Sequence, residues 1–545
     1  LPLKSDQVFH RVGWLIVIAI PTIFLLLFFL WPVGSLLSRG LGDWGRAIEV
    51  VSQPRTWRIV GQTIGMALVS TAGSIVLGIP GAYVLYRLRI PFRRALRAFV
   101  TAPFVLPTVV VGAAFRALFD DGGALGFLGL GQTTAAVILA MIFFNYAVVV
   151  RTVGTMWASL KDMTPAARML GAGPARAFAS VTLPQLSPAI AAAAGLVFLL
   201  SSTSFGLVQT LGRPGYGTLE SEIYVQTTAY LNLDVAAVLS IVQLVIVAAA
   251  LLVSHSLTSR TQRALKVAPS KALAPSRQDA PALAVTAGAL VFLALPLLAL
   301  ISESLKVQGE WSFHNYRLLT EAGYGVASSV TVFEALEHSG RIALDAAMLA
   351  LAVGVVVALA LSRRVASSIL AAGQRLLDGA IALPVGMSAV TVGLGFLVTW
   401  GARPGVSLAY LIPAAQAVIA LPFVVRSLVP LLRAIDPRMR QAAATLGASP
   451  NRVLLTIDIP IMARGLSVAF GFAFAISLGE FGASAFLASP DYVTLPVLIE
   501  RLLARPGADN FGMALAASVI LALATSVVVF LADALQPRGA KGVSF

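Results

Sequence analysis

Glu480 stands inside a long apolar stretch, flanked by Leu478-Gly479 and Phe481-Gly482. A carboxylate at bilayer depth costs about 3 kcal/mol, so such a residue faces a bundle interior or a water-filled path. One reading makes it a gate residue that favours a cationic substrate, together with Phe481. The other has it snorkel outward or pair with an arginine for packing. Asn145 and Gln209, also within apolar stretches, suit helix–helix hydrogen bonds, and Asp345 is assigned to structure. The four histidines, His10, His255, His314 and His338, are scattered with no pair at metal-ligand spacing. The chain has no cysteine, which excludes disulfides, thiolate zinc sites and iron–sulfur ligation. None of Lys4, Lys161, Lys266, Lys271, Lys306 or Lys541 follows a glycine, so the phosphate-binding loop pattern is absent. No nucleophile–base constellation is apparent. These residues point away from catalysis.

The elements that hold them are membrane helices. The 545 residues are 58% hydrophobic and 12% charged, against about 25% charged in soluble domains. About 20 apolar residues cross a bilayer core. Such runs lie near 12–37, 59–85, 97–118, 133–157, 183–211, 235–257, 281–303, 339–361, 376–400, 405–432, 460–488 and 511–535. The first is too long for a signal-peptide core and reads as a retained helix. The net charge of +15 comes from basic clusters in alternate loops. Arg87, Arg89, Arg93, Arg94 and Arg97 follow the second run, and Arg433, Arg438, Arg440 and Arg452 follow the tenth. Asp120, Asp121, Glu220, Glu222, Glu334 and Glu337 lie in the loops between. The positive-inside rule then places both termini and the basic loops in the cytoplasm. Topology accounts for the charge, so no nucleic-acid partner is expected. The expected fold is an all-α integral membrane protein of about twelve transmembrane helices.

The chain repeats itself. Gly171 and Pro184 recur as Gly447 and Pro460, Phe205-Gly206 as Phe481-Gly482, and Thr218-Leu219 as Thr494-Leu495, all 276 residues apart. One register across Gly, Pro and Phe-Gly landmarks indicates a tandem duplication of a six-helix unit with parallel topology. The predicted domains are 1–257 and 281–545, joined by a polar, Pro-, Ser- and Lys/Arg-rich cytoplasmic linker at 258–280. In this register Ser204 is the counterpart of Glu480, so a substrate path at Ser204, Phe205, Glu480 and Phe481 is asymmetric.

Two basic loops break the apolar pattern in the same way. Near 160–183, Thr164 caps a helix opened by Pro165 that stops at Gly171, and Pro174 opens a second one. Near 436–459, Asp436-Pro437 opens a helix that stops at Gly447, and Ser449-Pro450 opens the next. Each is a helix–Gly–helix hairpin, with small residues (Ala166, Ala167; Ala442, Ala443) that let another backbone approach.

The pattern Ala166-Ala167…Gly171…Val181-x-Leu183-Pro184, and its copy Ala442-Ala443…Gly447…Ile457-x-Ile459-Pro460, resembles the coupling signature of the permeases of binding-protein-dependent ATP-binding-cassette (ABC) importers. The family usually carries Glu before the two alanines, where this chain has Pro165 and Gln441. Two fused six-helix units resemble the ferric-iron and thiamine permeases, a similarity strengthened by SFGLVQTLG at 204–212, TLESEIY at 218–224 and SLGEFGASAF at 477–486. The resemblance implies a type I ABC importer fold in a bacterial cytoplasmic (inner) membrane. It implies a homodimeric ATPase, which carries ATP and magnesium, docked on the hairpins at Ala166, Ala167, Gly171, Pro174, Pro184, Ala442, Ala443, Gly447, Pro450 and Pro460. It further implies a solute-binding protein on the opposite face, where Glu220, Glu222 and Glu500 could meet it through charge complementarity. This chain itself is expected to be no enzyme and to bind no cofactor or metal. The expected cargo is ferric iron, with thiamine the alternative. An ion-gradient-driven secondary transporter is a different class of reading, which leaves two identical hairpins unexplained.

Overall fold

The computed structural model describes residues 19–160, 163–213, 216–261, 272–323, 329–362, 368–401, 403–405 and 407–534. The part of the linker at 262–271 therefore lies outside the described residues. The described residues are mostly helical and include a short antiparallel ribbon, Lys306–Val307 with Glu310–Trp311. The all-α class follows from composition and length: apolar runs in lipid must satisfy their own backbone groups, and a helix does so within one segment.

Among the described residues nine helices are long and apolar enough to cross a membrane, and two further spans are bent. In the first repeat we label Ala19–Leu41 α1, Pro54–Arg87 α2, Arg93–Val105 α3, Thr108–Phe119 α4, Thr134–Ser159 α5, Thr164–Met169 α6 and Pro174–Ala177 α7. Leu183–Ser202 is α8, Leu219–Thr228 α9 and Leu233–Thr261 α10. In the second, Ala280–Ser304 is α11, Val332–Ser362 α12, Ala389–Trp400 α13, Ile412–Arg433 α14, Pro437–Thr445 α15, Pro450–Val453 α16, Ile459–Leu478 α17, Leu495–Leu503 α18 and Ala508–Ala534 α19.

Not every apolar run forms one continuous helix. The run at 97–118 is broken into α3 and α4, which meet at 103°. Leu106 precedes Pro107 and is extended (φ −69°, ψ 139°), as the clash with a following proline ring requires. The run at 376–400 is likewise divided by the turn Leu383–Gly386, leaving α13 only 12 residues long.

The chain forms two compact units, and these are not the linear halves expected from the repeat. One comprises Leu1–Asp43, Leu319–Arg501 and Ile520–Phe545, the other Trp44–Leu318 and Leu502–Val519. The first helix of each repeat is thus built into the unit of the other. In the first unit, Gly395 of α13 lies against Pro32 of α1, and Trp31 meets Trp400 at 5.4 Å between ring centroids. Arg403 covers both rings at 4.7 and 4.5 Å. In the second unit, Phe292 of α11 packs edge-on against Phe115 and Phe143 at 6.3 and 6.1 Å.

Each unit closes its core with small residues, as helices in lipid do. Gly78 of α2 receives Val149 of α5, and its repeat counterpart Gly354 of α12 receives Val424 of α14. A hydrogen bond also recurs in the repeat register. Thr63 Oγ1 accepts the Leu219 amide at 3.0 Å, and Ser339 Oγ accepts the Leu495 amide at 2.6 Å. Each satisfies a first-turn N–H that the helix itself leaves open.

Candidate coupling hairpins and membrane turns

The first hairpin runs through α6, Gly171 and α7 into α8. Gly171 adopts φ +86°, its amide donates to Arg168 O at 2.9 Å, and the Ala172 amide donates to Ala167 O at 3.1 Å. In the second, Gly447 adopts φ +79°, its amide donates to Ala444 O at 3.0 Å, and Ala448 donates to Ala443 O at 3.0 Å. Both are Schellman endings, in which a left-handed residue lets two amides satisfy the last free carbonyls of the helix. The sequence expectation for both glycines holds, for a backbone reason: a Cβ would meet nothing within 4 Å at either site, so sign of φ and not space selects glycine.

The return limbs also match. Residues Phe178–Thr182 and Leu454–Asp458 each form one π-helical turn before α8 and α17. Pro184 has no N–H to give Ser180 O, and Pro460 none to give Thr456 O, so the helical ladder loses a bond beside each widened turn. Pro174 and Pro450 each occupy the first position of their short helices, α7 and α16, where a missing N–H costs nothing.

Sequence reasoning missed large apolar residues that these hairpins expose. Leu170 is 89% and Met169 86% exposed, and Leu446, the repeat counterpart of Leu170, is 88% exposed. Ala166 and Ala442 are exposed, while Ala167 and Ala443 are half-buried. In each hairpin an apolar side chain stands out just before the turn, and the signal was legible as a Leu preceding each Gly.

The hairpins differ in how they are held. Arg440 Nε meets Asp458 Oδ1 at 2.8 Å, and Asp458 is fully buried. The counterparts are Thr164 and Thr182, so the first hairpin lacks this pair. Instead, Arg168 donates to Gln278 Oε1 at 3.0 Å.

The turns expected to line a substrate path are buried: Ser204 is 9%, Phe205 5%, Glu480 7% and Phe481 3% exposed. The Glu480 carboxylate accepts the Ala483 amide at 2.7 Å and the Ser484 amide at 3.1 Å, and the Ser484 hydroxyl at 2.7 Å. Gln416 of α14 donates in turn to Ser484 Oγ at 3.0 Å. Neither snorkelling nor an arginine partner explains Glu480; it caps the short helix Ser484–Leu487. In the other unit the polar contacts are different: Ser70 and Ser201 hydroxyls lie 2.7 Å apart and Asn145 Nδ2 donates to Ser201 Oγ at 3.1 Å, the helix–helix role expected of Asn145.

The outward carboxylates require a correction. Glu220 is fully buried and Glu500 7% exposed, so neither offers a charged surface to a partner. Glu222 pairs with Arg55 at 3.0 Å and accepts Gln226 Nε2 at 2.8 Å. The sequence placed them in outward loops, but α9 and α18 fold them back against the helices.

Comparison with known proteins agrees with this geometry. Residues 74–265, which contain the first hairpin, match the family "binding-protein-dependent transport system inner membrane component". The chain is 28% identical over 512 residues to the thiamine transport system permease protein ThiP of Brucella suis, covering 89% of this chain and 90% of that protein. It is 26% identical to ThiP of Escherichia coli over 83% of this chain and 84% of that protein. A molybdenum transport system permease, ModB of Mycobacterium bovis, is 33% identical over 221 residues, covering 39% of this chain and 82% of that protein. The repeated Gly-turn hairpins between membrane helices, the fused duplication and these matches lead to one conclusion: the chain is a multi-pass inner-membrane permease, not an enzyme, and belongs to the binding-protein-dependent ABC transport permeases.

Proposed function

We propose that this permease imports thiamine or a closely similar heteroaromatic cation. The observation that carries the reading is length. The thiamine permeases match along nearly the whole fused chain, whereas the molybdenum permease matches over 39% of it. Ferric iron, the cargo first expected from the sequence, has no such support. A solute-binding protein delivers the cargo, and an ATPase on a separate chain drives its passage. Two hairpins with the same Schellman turn and the same projecting leucine suit two identical sockets, so the ATPase is a homodimer. The basic loops, these hairpins and both termini face the cytoplasm. The turns at Ser204-Phe205 and Glu480-Phe481 form the gate, with Glu480 holding its turn in shape.

The test is uptake into proteoliposomes containing the permease, its ATPase and its binding protein. Saturable, ATP-dependent accumulation of labelled thiamine is expected. Accumulation of ferric iron without thiamine overturns the substrate, and transport without ATPase or ATP overturns the class.

A further inference from the structure

A cavity of about 580 Å³ lies inside the second unit, between the first hairpin, the inner ends of α2 and α5, and residues 273–279 of the linker. Its apolar side is aromatic. Tyr83 and Trp157 stand 5.2 Å apart between centroids, and Trp157 and Phe178 6.2 Å. Two arginines are among its lining residues, Arg87 buried and Arg168 exposed. Asp279 also lines it, within electrostatic reach of Arg168, and accepts the Tyr83 hydroxyl at 2.8 Å, the Ser276 amide at 2.8 Å and the Ser276 hydroxyl at 2.8 Å.

The linker wall is fastened in place. The Leu273 amide donates to Arg87 O at 2.8 Å and the Arg89 amide donates to Leu273 O at 2.8 Å, a strand-like pairing at the end of α2. The Arg168–Gln278 bond then ties linker to hairpin across the opening. The second repeat does not reproduce the pocket: Tyr83, Trp157, Phe178 and Arg168 are replaced by Leu359, Arg433, Leu454 and Ala444.

We propose that this cavity is a regulatory site for a phosphate ester, its phosphate held by Arg87 and Arg168 and its apolar or ring portion laid on the Tyr83–Trp157–Phe178 wall. Guanidinium forks match phosphate oxygens in geometry and charge, and aromatic faces suit an apolar body. Two sources share this chemistry. One is an anionic phospholipid, since basic pockets at the cytoplasmic ends of membrane helices hold such headgroups. The other is a phosphorylated heteroaromatic from the cytoplasm. Either ligand touches hairpin and linker together and biases the first hairpin alone, which makes coupling through the two hairpins unequal. The site stands independently of the proposed substrate.

The experiment is native mass spectrometry of the delipidated full chain with its ATPase. It is titrated separately with phosphatidylglycerol, thiamine diphosphate and inorganic pyrophosphate, with phosphatidylcholine as the control. One equivalent of phosphatidylglycerol or of a soluble phosphate is expected to bind. Arg168→Gln, or Ala274→Trp, which fills the cavity from the linker side, is expected to weaken it about tenfold or more. Thermal unfolding confirms that both variants fold. Retention of the lipid alone assigns a lipid site, and retention of the soluble phosphate alone a cytosolic ligand. Saturable binding of none of the three, or binding that survives in both variants, overturns the proposal.

Discussion

Arg440 and Asp458 form an ion pair at 2.8 Å across the second hairpin, joining α15 to the π turn that leads into α17. Asp458 is fully buried and Arg440 about one-quarter exposed, so removing the arginine withdraws a cation from a carboxylate with no access to water. Breaking a buried pair from one side costs about 3 kcal/mol. Arg440→Ala is therefore expected to raise amide exchange throughout 437–458 and to lower transport-coupled ATPase activity. Unchanged exchange in this segment would show that the pair does not hold the hairpin.

The turn glycines offer a test of conformation rather than of space. Both adopt positive φ with open surroundings. A side chain in this region costs about 1–2 kcal/mol, and asparagine tolerates it better than branched residues. Gly171→Val and Gly447→Val are expected to weaken ATPase co-purification, and the asparagine variants to retain most of it. Equal loss with valine and asparagine would mean that the glycines are needed for close approach of the ATPase instead.

Leu170 and Leu446 are expected to act as paired anchors. Anchor residues of interfaces typically contribute more than 1 kcal/mol each. Leu170→Asp and Leu446→Asp should each weaken ATPase association about tenfold, with unfolding temperature unchanged because both side chains stand in solvent. Association measured by fluorescence titration decides it, and wild-type affinity in the double variant would place the docking surface elsewhere.

Glu480 separates capping from charge. Its oxygens receive two amides and a hydroxyl. Glu480→Ala is expected to cost about 1–2 kcal/mol through loss of the cap and to reduce transport. Glu480→Gln keeps an acceptor and should transport thiamine with little change in KM. A large rise in KM for the glutamine variant alone would instead give the negative charge a direct part in cargo selection.

Much of this protein is legible in its residues because the governing physics is local. A bilayer demands long apolar runs, and those runs are plain. Gly171 and Gly447, with their prolines, mark the hairpins because left-handed turns and helix starts select these residue types one position at a time. The repeat adds confirmation, since both turns close with the same two hydrogen bonds.

What the tertiary structure alone decided depends on which side chains meet. Nothing in the run at 19–41 indicates that Pro32 and Trp31 pack on Gly395 and Trp400, because one apolar helix face resembles another until a partner fills it. Glu220 and Glu500 read as outward charges and are buried, and the amides and hydroxyl that the Glu480 carboxylate accepts are not legible in its apolar run. The sequence by itself determined the membrane class, the duplication and the two Gly-turn hairpins, all set by composition and local backbone geometry. The exchange of first helices, the burial of the outward carboxylates and the Arg440–Asp458 pair required distant residues to be brought together, and only packing does that.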